Sequence, residues 1–191
     1  MGCDIHIFSE TKKDGVWVNN EEFVEELFDG EEPYIHVPYD DQFYNGRDYN
    51  LFGVLAGVRA EDLQQFEVKG FPADASPLVA KNYESWGVDA HTPSYLTLEE
   101  LKALKLDDTK VSVTGMMKST QWEMLRDSIS TGTPDWGLLY PHCGWTNGKD
   151  YTEFQVMVPI KVLVDDSFER FLSCFDHLGE GEHRVVFWFD N

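Results

Sequence analysis

The chain has 191 residues, the size of one ordinary domain, and carries 15 Lys and Arg against 35 Asp and Glu, a formal net charge of -20. That negative field repels phosphate backbones and anionic membrane surfaces, which excludes direct nucleic-acid binding and a membrane partner from the expected functions. A metal ion, a basic protein surface and a small ligand in a local pocket remain compatible with it.

Aromatic residues make up 14% of the chain, an apolar payload that disordered chains lack, so a packed fold is expected. The three cysteines, Cys3, Cys143 and Cys174, are too few and too scattered for a disulfide framework and fit a reducing compartment. The opening MGCDIHIFSE has no basic region of the signal-peptide kind, and His6 stands where a myristoylation pattern needs Ser or Thr. The expectation is a single globular domain over residues 1–191, in the cytoplasm.

Residues 3–10 alternate, with Cys3, Ile5 and Ile7 on one side and Asp4, His6, Phe8 and Glu10 on the other, which is strand periodicity. Lys13-Asp14-Gly15 reads as a hairpin turn into a second strand at Val16-Trp17-Val18. Residues 20–28 read as a short helix capped by Asn20, with Glu21 and Glu22 at its positive end. The stretch 30–46 reads as an ordered loop, and His36 within it has no assigned role. A helix is predicted over 47–59, capped by Asp48 or Asn50.

Residues 70–78 read as a loop passing into a short helical turn, and 86–93 as another loop. Thr97 and Glu100 form a capping box that starts a helix at residue 98. A further helix is predicted over 119–129, capped by Ser119 or Thr120, followed by a loop over 131–149. Residues 151–164 read as a strand that Pro159 interrupts or places at an edge, and 166–178 as a helix stopped by Gly179. The near-continuous apolar run Arg184–Asp190 reads as a central strand covered on both faces. Strand-rich ends around a helical middle point to an α+β fold with a mixed or antiparallel sheet, its N- and C-terminal strands paired and helices packed on it.

Five blocks stand out: MGCDIH, RDYNLFGVLAGVR, GFPADASP, WGVDAHTPSYLTLEEL and the closing VFWFDN. In this order they resemble a family of small bacteriophage-encoded proteins, over roughly the first half of the chain and its last residues. Residues 105–180 match no part of that pattern. The chain departs from it at Asp89-Ala90-His91-Thr92-Pro93-Ser94-Tyr95, where the family carries a second His and a Trp. The resemblance implies a phage accessory protein at work in the host cytoplasm, and implies no particular reaction.

The sharpest chemical feature is a doubled Asp-x-His: Asp4-Ile5-His6 and Asp89-Ala90-His91. Residues i and i+2 of a strand share a face, so Asp4 and His6 project together, and paired terminal strands bring Asp190 beside them. Carboxylates and imidazoles suit a divalent metal such as zinc, manganese or iron, expected on Asp4, His6, Asp89 and His91, with Asp190 joining the catalytic set. Water on that metal would hydrolyse a phosphorylated or nucleotide-like substrate, with Arg47 or Arg59 holding its charge.

The bland reading of the same residues is a structural polar network. The alternative function is a binding protein. It would sequester a small ligand in a pocket of Trp86, Tyr95 and Trp188, or block a basic host protein with its acidic surface. Cys3 reads as core, Cys174 as buried in its helix, and His177 and His183 as solvent-facing. His142-Cys143 is a weak metal signal. The common nucleotide-binding and hydrolase motifs are absent.

Overall fold

A computed structural model describes residues 2–27, 33–139, 149–164 and 166–190. In chain order these form β1 (Asp4–Lys13), β2 (Val16–Asn19), β3 (Val24–Glu26), β4 (Tyr34–His36), α1 (Tyr49–Ala56) and α2 (Pro77–Trp86). There follow β5 (His91–Thr97), α3 (Leu98–Ala103), β6 (Lys110–Lys118), α4 (Ser119–Ser130), β7 (Tyr151–Pro159), α5 (Ile160–Val164), α6 (Ser167–Ser173) and β8 (His183–Asp190). The protein is α+β with antiparallel sheets, and the chain divides into two compact units.

Unit 1 comprises residues 1–105 and 164–191. Its sheet runs β2-β1-β8-β5, all antiparallel, so the last strand sits at the centre, paired with β1 from Asp4↔Asp190 to Thr11↔His183. The continuous apolar run of β8 follows from this position: every residue from His183 to Phe189 is buried. The β1–β2 turn places Asp14 at φ 51° and Gly15 at φ 83°, the left-handed pair of a two-residue hairpin turn, which glycine adopts at no steric cost.

The two faces of this sheet take different helices. Phe187, Phe189, Ile5 and Ile7 share one face, on which α1 lays Phe52, its ring 5.4 Å from that of Phe189. Asp48 starts α1 by accepting from the Asn50 and Leu51 backbone N–H groups, and Gly57 at φ 71° ends it. Val186, Trp188, Phe8 and His6 share the other face, where α2 contributes Val79, Tyr83 and Trp86.

Unit 2 comprises residues 106–163. The β6–β7 hairpin runs from Lys110↔Pro159 to Lys118↔Tyr151, and α4 covers one face of it through Leu125 packed with Met117 and Phe154. Pro159 marks the end of β7, after which the chain turns into α5 rather than continuing as a strand.

Several sequence expectations need correction. The segment expected as a helix from residue 20 instead holds β3, paired with β4 from Val24↔His36 to Glu26↔Tyr34. Its Glu-rich spacing suits either a helix or an exposed strand, and the partner strand decides. The run from Pro77 is a full helix rather than a short turn, and the expected loop ends at His91, where β5 begins. His183 is buried, and Cys174 is half-buried with its Sγ donating to the Arg170 carbonyl. The helix at 119 has no side-chain cap from Ser119 or Thr120. Cys143 and His142 lie outside the described residues. No helix among the described residues is long and apolar enough to cross a membrane.

Candidate functional site

β2 pairs with β1 only over residues 10–13, so the first half of β1 is an uncovered edge. The Ser9 N–H points off that edge and is met by Glu21, whose Oε1 accepts from Ser9 N at 2.7 Å and from Ser9 Oγ at 2.8 Å. Ile5 and Ile7, four and two residues earlier, present their backbone on the same edge. Beside it lies a cavity of about 110 Å³. Its walls are β1 from Ile5 to Phe8, Glu21, Tyr34 and His36 of β4, Val37, Gln42, and Asn82 and Trp86 of α2. Tyr34 is exposed and lies at the rim, whereas Phe8 and Val37 are buried.

The cavity is polar in a particular way. His6 Nε2, His36 Nε2 and Glu21 Oε2 are all withdrawn from solvent and make no hydrogen bond within the described protein. Buried polar atoms are ordinarily paired, and three of the seven unpaired buried side-chain atoms among the described residues belong to residues that line this cavity. Each imidazole has a carboxylate oxygen at ion-pair distance from that same Nε2. Asp190 Oδ2 is 3.4 Å from His6 Nε2, and Glu26 Oε2 is 3.2 Å from His36 Nε2. The His6 ring packs 4.0 Å from that of Trp86, and His36 stacks on Tyr34 at 5.0 Å.

Burial sets the protonation of two of these groups. His6 is held below its ordinary value of 6.5 because burial penalises the imidazolium more than Asp190 and Asp4 favour it. Burial likewise pushes the Glu21 carboxyl up from 4.5, against the lowering effect of its Ser9 hydrogen bonds. His183 gives the contrast: its Nδ1 meets Thr11 Oγ1 at 2.9 Å and its Nε2 meets the Gly179 carbonyl at 3.1 Å, so both ring nitrogens are engaged.

The residues nominated from the sequence fall into three groups. Asp4, His6 and Asp190 share one face of the sheet, and Asp190 Oδ1 also accepts from the Asp4 N–H at 3.1 Å. His91 does not join them. It pairs with Phe189, whose ring it stacks on at 6.0 Å, and therefore projects from the opposite face to His6. Asp89 is exposed in a turn before β5. The expected metal set of Asp4, His6, Asp89 and His91 is thus divided across the sheet. Among the described residues no group of three or more His, Cys, Asp or Glu side chains is placed to hold a metal ion. Next to His91, Thr92 adopts φ 50° where the β5–β8 register slips, a strained backbone for a β-branched residue, and its hydroxyl meets His91 Nδ1 at 3.0 Å.

The two arginines expected to hold substrate are engaged with the chain's own opening strand. Arg47 Nε donates to the Cys3 carbonyl at 3.2 Å and lies 3.2 Å from Asp4 Oδ1, and Arg59 donates to the Gly2 carbonyl at 2.8 Å. Of the expected aromatic pocket, only Trp86 lines the cavity. Trp188 is fully buried in the core, and Tyr95 lies beside two cations, Lys69 and Arg184. Sequence reasoning missed Glu21 and His36. Glu21 reads in the sequence as the start of a helix and His36 as part of a loop, and the sole hint for His36 was the dense mixture of aromatics and acids in residues 30–46.

In comparison with known proteins, no family model, no curated protein and no solved structure matches the chain.

Proposed function

We propose that this is a binding protein that sequesters a small polar ligand in the unit 1 cavity, and that it acts as a phage-encoded accessory protein in the host cytoplasm. The observation that carries the ligand reading is one cavity lined by His6, His36 and Glu21, whose Nε2, Nε2 and Oε2 atoms make no hydrogen bond within the described protein. Protein interiors leave few such groups unpaired, because each costs about 1–3 kcal/mol. A ligand that meets them recovers that cost on binding. Trp86 supplies a flat apolar wall for the rest of the ligand. The phage setting rests on the resemblance of the five sequence blocks.

The rival reading, a metal-dependent hydrolase built on Asp4, His6, Asp89 and His91, needs ligands from both faces of the sheet. The cavity reading needs residues from one face only. The test is histidine-resolved NMR on the intact protein, with small polar fragments and, separately, zinc, manganese(II) and iron(II) added. Ligand binding in the cavity shifts the ring signals of His6 and His36 and leaves those of His183 in place. Fragments that move no histidine sink the proposal. Stoichiometric zinc binding that shifts His6 and His91 together revives the metal reading.

A further inference from the structure

Four consecutive residues of β1, Ile5, His6, Ile7 and Phe8, line the cavity. Successive side chains of a strand point to opposite faces of its sheet, so one cavity that touches all four runs along the edge of the strand, where the main-chain groups aim. Which residues aim there follows from the ladder. The Lys12 N–H donates to the Glu182 carbonyl at 2.9 Å, on the β8 side, whereas the Ser9 carbonyl accepts from the Asn20 N–H at 3.1 Å, on the β2 side. Main-chain groups alternate sides along a strand, so Ser9, Ile7 and Ile5 turn both N–H and C=O to the edge on which the cavity lies.

At Ser9 both groups are met. Its carbonyl takes the Asn20 N–H, and its N–H goes to Glu21 Oε1 at 2.7 Å, a carboxylate oxygen standing where the carbonyl of a neighbouring strand would be. Two residues earlier, at Ile7, the same pair of groups meets no donor and no acceptor among the described residues, because the β1–β2 register ends at Glu10 and β1 has no other neighbour on this side. Ile7 is buried, and buried main-chain groups are ordinarily paired.

We propose that the cavity takes one residue of a peptide-like ligand, laid antiparallel to Ile7, its N–H donating to the Ile7 carbonyl and its carbonyl accepting from the Ile7 N–H. This rests on the ligand-binding reading above and deepens it. A hydrogen-bonded pair in an antiparallel ladder exchanges these two bonds, and adding a strand to an open edge is a general mode of peptide recognition. The ligand must therefore carry an N–H and a C=O on either side of one carbon, which an amine, an alcohol or a carboxylate alone does not. A cavity of about 110 Å³ is smaller than the roughly 150 Å³ cavity that admits benzene, so the ligand is an acylated amino acid or a peptide end rather than a whole strand.

The experiment titrates two probes of nearly equal shape into the intact protein, N-acetylglycinamide and its ester analogue O-acetylglycolamide, in which an oxygen replaces the central N–H. Backbone amide NMR follows Ile7, with Lys12 as the internal reference, alongside the ring signals of His6 and His36. The expected result is that N-acetylglycinamide shifts the Ile7 amide and slows its hydrogen exchange, leaves the Lys12 amide in place, and binds about fivefold or more tighter than the ester, the worth of one neutral hydrogen bond. Because the probe is varied and the chain is not, no variant has to fold. Equal binding of the two probes, or shifts of the histidine rings with no change at Ile7, overturns the ladder assignment and leaves the cavity reading standing. Probes that move neither Ile7 nor a histidine overturn both readings.

Discussion

One face of the unit 1 sheet carries two buried polar clusters, and they are built by opposite rules. At one end, Arg184 of β8 donates to Glu10 of β1 at 2.7 Å and to Asp74 at 2.8 Å, its guanidinium lies 4.1 Å from the Trp17 ring, and Glu10 also accepts from the Ser76 N–H at 2.6 Å. Arg184 is 2% exposed and Glu10 is fully buried, yet both ions are paired and hydrogen-bonded. Nearer the start of β1, the cavity is lined by His6, Glu21 and His36, each with a buried side-chain atom that makes no hydrogen bond within the described protein. In the first cluster both buried ions are paired and hydrogen-bonded. In the second, the three side-chain atoms make no hydrogen bond within the described protein. Buried charge in itself therefore says little about function; completeness of its partners separates scaffold from site.

The largest expected effect falls on the complete cluster. Arg184→Met strands Glu10 without its counter-charge and destabilises the protein by about 3–5 kcal/mol, read by urea unfolding; a loss below about 1 kcal/mol breaks the comparison. Glu21→Gln has the opposite sign. Because the folded-state pKa of Glu21 is raised, the folded protein holds this proton more tightly than the unfolded chain, and the ionised group costs stability once pH rises above 4.5. A glutamine side chain carries no such cost, so the variant melts at a higher temperature than the parent at pH 7, and the difference disappears on acidification below about 4.5. A variant less stable at pH 7 would show that Glu21 belongs to the scaffold.

His6 contributes a slope of the other hand. Its folded-state pKa is lowered, so the unfolded chain binds the proton first and stability falls as pH drops below 6.5. Thermal midpoints are therefore expected to fall between about pH 7 and about pH 5 in the parent, and to fall less in His6→Gln. The smallest effect belongs to Arg47→Gln. The Arg47–Asp4 pair is half exposed on both sides, and its loss costs at most about 1 kcal/mol in the same urea assay.

The sequence revealed the parts of the fold whose signals are local. Asp14-Gly15 specifies its turn by backbone conformation, Thr97 and Glu100 cap α3 reciprocally, and the apolar run of β8 announces a strand covered on both faces. Elements set by distant partners were hidden. Residues 24–26 form a strand because residues 34–36 pair with them, and β5 begins before Pro93 because the register slip at Thr92 lets the ladder step over the proline. The site was half visible for the same reason. The Asp4-x-His6 spacing and the pairing of the terminal strands correctly gather Asp4, His6 and Asp190. The face that a residue occupies depends on register, which no count along the chain supplies, and that put His91 on the wrong side. Glu21 acquires its meaning only from Ser9, twelve positions earlier, whose amide β2 stops short of reaching.

The central position of β8 has a kinetic consequence. Both neighbours of this strand, β1 and β5, are translated well before it, and the β1–β8 ladder joins residues as far apart as 4 and 190. Loop closure over such a span is entropically costly and slow, which gives unit 1 a high contact order. During synthesis, β1 and β5 must wait at the ribosome with their ladder edges open, while the β6–β7 hairpin of unit 2, closed within residues 110–159, meets its partner strand as soon as it is made. The order of emergence thus runs from the inserted unit to the sheet that encloses it in sequence, and the cavity beside β1 takes its final shape only after the last strand has docked.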